Sequence, residues 1–228
     1  MLVKIKRQEH ADSPSYWQSF EYDGNKNTTV AAVLDYLNYN DDLYDINGEP
    51  ARRIQWECSC MQKSCGACAM VINGTPALAC NTFLKDIKSE ILILEPLKKF
   101  PVCSDLIVDR SIIYENLKRA EMYIEDYAGA DEKEYDNQYM VSKCLKCGLC
   151  LEVCPNYVKG ENFFGALFAN DAYLSYTQSE NRKKKILSQY KKHFSAGCSK
   201  SLSCIKVCPV EIPTLASMAK MNRTKGGH

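Results

Sequence analysis

Histidine, net charge and long apolar runs are all scarce in this sequence of 228 residues. Its three histidines, His10, His193 and His228, are scattered along the chain, and we expect each to be a solvated surface residue. The formal net charge of +1 argues against a nucleic-acid binder that depends on a strong positive field. No apolar run approaches the roughly 18 residues of a membrane span, and the opening residues lack the apolar core of a secretory signal. We therefore expect a cytoplasmic protein that a partner could hold at a membrane.

Cysteine, in contrast, is abundant: the chain has 13, an odd number, and most of them lie in tight groups. In a cytoplasmic protein this grouping indicates metal ligands rather than a disulfide scaffold. The length suffices for two modest domains, and 46% hydrophobic with 25% charged residues is ordinary for a globular protein.

The first hundred residues carry short strand patterns around one helix. LVKIKRQ alternates as a strand does, and YWQSFEYD reads as its hairpin partner. Thr28 or Thr29 can cap a helix through VAAVLDYLNYN. CAMVINGTPALAC predicts a hairpin that turns at Asn73 and Gly74, and EILILEPL predicts another strand. Strands and a helix around a cysteine loop predict a β-grasp ferredoxin domain over residues 1–103.

Beyond Pro101 the pattern becomes helical. LIVDRSIIYENLKRAEMYIEDY predicts one helix, with an apolar stripe formed by Ile113, Leu117, Ile124 and Tyr127. AGADEKEYDNQY is polar and predicts a surface loop or an exposed helix start, and two cysteine runs follow with helical sequence between them. We expect a mainly α-helical domain over residues 104–228, and so an α+β chain of two domains.

The first cysteine group has the C-x4-C-x2-C spacing of a plant-type 2Fe–2S site, with a more distant fourth cysteine. The four candidate ligands are Cys60, Cys65, Cys68 and Cys80. The small residues Gly66 and Ala67 let backbone amides approach the sulfurs, and hydrogen bonds to sulfur raise the reduction potential. The alternative is a zinc site, but zinc favours closely spaced cysteine pairs, of which we count only Cys65 with Cys68.

Two later runs, CLKCGLCLEVCP and CSKSLSCIKVCP, form a degenerate pair. The first is the C-x2-C-x2-C-x3-C-P run of ferredoxins, and in two-cluster ferredoxins the fourth cysteine of each run ligates the other cluster. That rule assigns a 4Fe–4S cluster to Cys144, Cys147, Cys150 and Cys208. It assigns the other cluster to Cys154, Cys198 and Cys204.

Ser201 stands where the fourth ligand of that other cluster would fall. Three thiolates most simply predict a 3Fe–4S cluster, which lacks the iron that a serine does not readily bind. The loss of that iron changes the charge of the cluster and its reduction potential. The alternatives are that Ser201 ligates a fourth iron or that this iron is labile. Cys58 and Cys103 are left over, and we expect both to be packed thiols.

With these motifs in this order, the sequence resembles the iron–sulfur subunit of succinate dehydrogenases and fumarate reductases. The 2Fe–2S run, CLKCGLCLEVCPN, CSKSLSCIKVCP and the connecting stretch FPVCSDLIVDRS carry the resemblance, which extends over nearly the whole chain. KRQEHADSPSYWQSFEYD, CGACAMVINGTPALAC and CPVEIPTLASMAKMNR make it most similar to the variety of Gram-positive bacteria.

The resemblance implies an electron-transfer subunit without catalytic residues or a substrate site of its own. Electrons would pass between FAD of a flavoprotein subunit and a membrane anchor, through 2Fe–2S, 4Fe–4S and 3Fe–4S clusters in that order. The chain has no G-x-G-x-x-G fingerprint, which agrees with a flavin bound elsewhere. The implied anchor is a diheme cytochrome b that uses menaquinone, at the cytoplasmic face of the cell membrane. Succinate oxidation in the tricarboxylic acid cycle and fumarate reduction in anaerobic respiration would use the same path.

Ser199 and the stretch PNYVKG stand where some relatives carry residues that help form a quinone pocket, so the resemblance does not carry a quinone site over to this chain. One alternative function is the same electron path in a related flavoprotein reductase complex with another substrate or a soluble anchor. An alternative from a different class is a structural zinc protein.

Overall fold

The computed structural model describes residues 1–39, 42–127, 129 and 131–224, and it divides the chain into the units Met1–Asp109 and Arg110–His228. The division falls after the boundary expected at residue 103, because the short strands after Pro101 belong with the first unit. Among the described helices, none combines the length and the apolar character that crossing a membrane requires.

The first unit is built on a five-stranded mixed sheet with the order β2-β1-β7-β5-β6. Strands β1 and β7 run parallel, and the other neighbours are antiparallel. The sheet strands are β1 (Leu2–Arg7), β2 (Tyr16–Glu21), β5 (Ala69–Ile72), β6 (Thr75–Leu78) and β7 (Ile91–Glu95). Two small two-stranded ladders are β3 (Leu43–Tyr44) with β4 (Pro50–Ala51), and β8 (Val102–Ser104) with β9 (Ile107–Val108). The unit has one described α-helix, α1 (Val30–Leu37).

Local sequence signals explain these elements. Strand β1 alternates buried and half-buried residues and pairs with β2 as predicted. Thr29 caps α1 by accepting a hydrogen bond from Ala32 N at 3.3 Å. The β5–β6 hairpin turns at Asn73 and Gly74, whose φ angles of 46° and 77° fit the left-handed turn that this residue pair favours.

The second unit is mainly helical, as the sequence predicted. Its helices are α2 (Ser111–Arg119), α3 (Tyr135–Ser142), α4 (Leu149–Glu152), α5 (Gly165–Gln178), α6 (Lys183–Tyr190), α7 (Ser203–Lys206) and α8 (Thr214–Arg223). A π-helical turn, Lys191–Ser195, continues α6. Helix α5 is the centre of the unit and packs against α6 and α8. The aromatic residues of the core include Phe164, Phe168, Tyr173, Tyr190 and Phe194.

The prediction of one long helix after Pro101 was wrong in the extent of the helix. Helix α2 ends at Arg119, and Glu121 adopts a left-handed φ of 52° that a continuing helix does not allow. Ile124 and Tyr127 are 44% and 67% exposed, so they do not extend a buried stripe. In the polar stretch that follows, α3 begins at Tyr135 after a short 3₁₀ turn, while Ala128 and Ala130 lie outside the described residues.

Candidate metal-cluster sites

None of the 13 cysteines, all of which lie in the described residues, forms a disulfide. Three cysteines of the first group lie in the loop between β4 and β5, and the fourth lies in the 3₁₀ turn Ala79–Asn81 that follows β6. Cys68 and Cys80 are 3% and 8% exposed, whereas Cys60 and Cys65 are half-buried. The structure therefore gives this group an inner pair and an outer pair of thiols.

Backbone N–H groups in this loop donate to the cysteine sulfurs. Gln62 N and Ser64 N lie 3.4 and 3.2 Å from Cys60 Sγ, and Lys63 N lies 3.3 Å from Cys80 Sγ. Positive φ angles at Met61 (54°) and Lys63 (62°) turn the chain so that successive amides can face the thiols.

Two more amides act on the other thiols of this group. Ala67 N donates to Cys65 Sγ at 3.5 Å, as the small residues in the sequence suggested, and Cys80 N donates to Cys68 Sγ at 3.4 Å. The amides of residues 62–64 were not predicted, because a backbone N–H has no side-chain signature in a sequence.

The environment shifts the pKa of these thiols in opposite directions. The N–H groups of Gln62 and Ser64 lower the pKa of Cys60 to about 7, because they stabilise the thiolate. Burial raises the pKa of Cys68 to about 12. A metal that binds Cys68 must therefore displace a proton that the buried thiol holds firmly.

In the second unit, a cavity lies among the two cysteine runs. Its thiols come from Cys144, Cys147, Cys150, Cys204 and Cys208. Most of the remaining wall is apolar and comes from α5 and from the loops around α4 and α7, with Leu149, Leu167 and Ile212 among its residues. Ile212 N donates to Cys208 Sγ at 3.4 Å. The structure thus brings two cysteines of the second run, Cys204 and Cys208, to the first three cysteines of the first run.

Burial and mutual repulsion oppose ionisation of these thiols. Burial raises the pKa of Cys147 to about 11, and Cys144 and Cys208 add repulsion. Burial also raises the pKa of Cys150 well above its usual value, with further repulsion from neighbouring thiols. A cationic iron centre would remove both penalties by ligating the thiolates.

The remaining three candidate ligands lie in one neighbourhood. Burial raises the pKa of Cys204, and the next largest effects are repulsion from Cys154 and then from Cys198. Asn156 ties the end of the first run to the start of the second, because its Nδ2 donates to Gly197 O at 2.6 Å.

The two runs also share one backbone conformation. Lys146 and Gly148 have φ angles of 52° and 85°, and the residues 54 positions later, Lys200 and Leu202, both have 59°. Short helices, α4 and α7, begin directly after Gly148 and Leu202. When the two runs are aligned with this offset of 54 residues, Ser201 occupies the position of Cys147. Cys147 is 9% exposed, whereas Ser201 is an exposed residue.

Two expectations about the other residues were wrong. Cys58 and Cys103 are exposed rather than packed. His193 is only 2% exposed, because its ring stacks on Phe164 with centroids 4.1 Å apart and its Nδ1 lies 2.9 Å from Asn162 O. His10 is exposed as expected, and His228 lies outside the described residues.

The donor chemistry fits iron–sulfur clusters. Thiols stand in three groups along the chain, amides donate to their sulfurs, and a mostly apolar wall surrounds the cavity of the second unit. Among the described residues, no group of three or more His, Cys, Asp or Glu side chains has an arrangement that could hold a metal ion.

Comparison with known proteins gives matching domains and relatives. Residues 2–115 match the family described as "2Fe-2S iron-sulfur cluster binding domain", and residues 140–212 match "4Fe-4S dicluster domain". The succinate dehydrogenase iron-sulfur subunit of Bacillus subtilis is 33% identical, over 96% of this chain and 90% of the relative. The fumarate reductase iron-sulfur subunit of Haemophilus influenzae is 29% identical, over 79% of this chain and 76% of the relative.

A solved structure shares the fold. A chain in the Mycobacterium smegmatis Sdh1 complex in the apo form aligns with a TM-score of 0.73 at 20% identity, over 96% of this chain and 94% of the other. The match to the Bacillus subtilis subunit spans both units, and both domain families match in the order that the cysteine groups follow. The chain therefore belongs to the family of iron–sulfur subunits of succinate dehydrogenases and fumarate reductases.

Proposed function

We propose that this chain is the electron-transfer subunit of a membrane-associated succinate:quinone oxidoreductase or quinol:fumarate reductase. Its role is to carry electrons between FAD in a flavoprotein subunit and haem or quinone in a membrane anchor. Membership of the family supports this role, and three groups of free thiols supply sites for redox centres along one chain. When bound, iron–sulfur clusters take up and release single electrons.

We assign one cluster to each thiol group. The 2Fe–2S cluster has the ligands Cys60, Cys65, Cys68 and Cys80. The 4Fe–4S cluster has the ligands Cys144, Cys147, Cys150 and Cys208. The 3Fe–4S cluster has the ligands Cys154, Cys198 and Cys204. The N-terminal unit is then a 2Fe–2S domain, and the C-terminal unit is a domain for the other two clusters.

One observation carries the 3Fe–4S assignment. Because the two runs repeat the same backbone conformation, Ser201 takes the place of the buried ligand Cys147. A serine hydroxyl ionises far less readily than a thiol, so this position is a poor ligand for the fourth iron. This supports three thiolates and three irons at the second site.

The chain contributes more than ligands. Around the 2Fe–2S site, N–H groups directed at Cys60 and Cys80 stabilise negative charge on the sulfurs, which favours the reduced state. Around the 4Fe–4S site, the largely apolar wall limits contact with water.

The partners follow from the resemblance to the Gram-positive variety. We place FAD and the carboxylate substrate on the flavoprotein subunit. We propose a diheme cytochrome b as the anchor, menaquinone as its quinone, and the cytoplasmic face of the cell membrane as the location.

Assays of the purified complex test this function. Succinate should reduce an artificial dye, and fumarate should oxidise a reduced dye, because both reactions take place at the flavoprotein. Replacing Cys204 with alanine should preserve dye reduction by succinate but abolish quinone reduction. Inactivity with both acids would favour the related complex with another substrate, and full quinone reduction by the Cys204 variant would contradict the electron path.

A further inference from the structure

A lysine and an aspartate form an ion pair beside the cavity lined by Cys144, Cys147 and Cys150. Lys146 lies between the first two of these cysteines, and its Nζ donates to both carboxylate oxygens of Asp171. The two side chains are 21% and 17% exposed, so water screens their charges only in part.

Helix α5 places Asp171 close to this cavity. Ala166, Leu167 and Asn170 of α5 line the cavity, and Asp171 is the next residue. Leu167 and Asp171 are four positions apart and so share one helix face. Among the described residues that line the cavity, only the cysteines can carry a charge. Lys146 and Asp171 therefore place two opposite charges just behind the wall of this cavity, where no lining residue other than the cysteines can carry a charge.

Both charges act on the thiols. Burial has the largest effect on the pKa of Cys144 and raises it, while Lys146 lowers this pKa and Asp171 raises it. Arg110 acts as a further cation on Cys147. One-electron reduction adds one negative charge to a cluster and its thiolates, so a nearby cation raises the reduction potential and a nearby anion lowers it.

The second run offers an internal comparison. Lys200 occupies the position of Lys146, with a similar left-handed φ of 59° against 52°. Lys200 is exposed, and the described part of the chain shows no ion pair for it. The two equivalent lysines thus differ in whether a carboxylate neutralises them.

We propose that Asp171 is a tuning residue for the 4Fe–4S cluster, which holds the reduction potential of this cluster down by neutralising Lys146. The proposal rests on the assignment of that cluster to Cys144, Cys147, Cys150 and Cys208. It concerns fixed charges and needs no proton transfer.

Redox titration of the purified complex, followed by EPR, tests the proposal. Asp171→Asn keeps the size of the side chain and one acceptor oxygen but leaves Lys146 without a counter-charge. The ratio of reduced to oxidised 4Fe–4S cluster at a fixed potential should rise about tenfold, which is about 59 mV for a one-electron couple. Lys146→Met should shift the potential in the opposite direction, and the double variant should return close to the wild-type value.

Lys200→Met is the matched control. It should lower the potential of the second cluster and leave that of the 4Fe–4S cluster unchanged. If one single variant fails to hold its cluster, the other single variant and the double variant still decide the matter.

Two results would overturn the role of Asp171. One is a shift of the same sign in both single variants, and the other is a 4Fe–4S potential that none of the variants moves. If the wild-type complex shows no 4Fe–4S signal, the cluster assignment itself fails, which is a separate outcome.

Discussion

Replacing Asp105 should destabilise the N-terminal unit and weaken its hold on the 2Fe–2S cluster. The Asp105 side chain is fully buried, and its Oδ1 lies 3.1 Å from Arg7 Nε and 2.6 Å from Arg52 Nη2. Gln8 N and Gln55 N each donate to its carboxylate at 2.9 Å. Asp105 therefore fixes the segment from Arg52 to Gln55, which leads into the first cysteine group.

The size of the expected loss of stability follows from the burial of Arg7, which is also 0% exposed. Asp105→Asn removes the negative charge but leaves the arginine buried, and breaking a buried ion pair in this way costs about 3–5 kcal/mol. The new amide NH₂ also has to face either an arginine or a backbone N–H. A loss of this size is a large fraction of a total stability of about 5–15 kcal/mol. It should lower the Tm of a unit of this size by about 12 °C or more.

Thermal unfolding of the full chain measures this effect, and the visible absorption and EPR of the 2Fe–2S cluster report its retention. Lys98→Gln is the control, because Lys98 is 57% exposed in its ion pair with Glu95 and such a surface pair contributes about 0–1 kcal/mol. If Asp105→Asn changes the stability no more than the control does, the buried carboxylate does not hold the loop as described.

Three further predictions concern the C-terminal unit. Glutamate substitutions at the exposed Lys183 and Lys184 should weaken retention on anionic membranes at low salt, by about 1 kcal/mol per residue. Lys185 is left intact because it pairs with Glu121 at 2.5 Å. Unchanged retention would mean that this helix face is an ordinary solvated one. Burial lowers the pKa of His193 in the folded chain. The stability that the neutral imidazole contributes is therefore present above the unfolded pKa of about 6.5 and is lost as the pH falls below that value. His193→Phe should reduce the loss of Tm on acidification, and an unaltered loss would contradict this. In Gly165→Ala, the added Cβ would clash with Leu151 Cδ2, so cluster content should fall more than in Gly160→Ala, where nothing lies within 4 Å of the added Cβ. Equal cluster content in both variants would refute the steric argument.

Elements with a strong local signal were predicted well from the sequence. The alternation of β1, the Thr29 cap and the Asn73-Gly74 turn each depend on a few adjacent residues, and the structure shows all three. The cysteine spacings named the candidate ligands, because loop geometry restricts which sulfurs can meet, and these ligand sets stay predictions.

Features that depend on tertiary contacts or on the backbone could not be predicted. Ile124 and Tyr127 continue an apolar helical period, but the left-handed Glu121 ends the helix before them. Lys146 and Asp171 are 25 residues apart, and only the fold brings them together. The burial of His193 depends on the packing of Phe164, which sequence periodicity does not reveal.

We propose that three thiolates and Ser201 give this chain a 3Fe–4S cluster as the last of its three clusters. EPR of the oxidised complex, in the wild type and in Ser201→Cys, together with iron analysis, tests this proposal. We expect an oxidised 3Fe–4S signal in the wild type. In the variant this signal should be replaced by that of a 4Fe–4S cluster after reduction, with about one more iron per chain and slower electron transfer to quinone. A wild-type complex without the 3Fe–4S signal, or a variant that keeps it unchanged, would show that Ser201 does not stand in place of a fourth ligand.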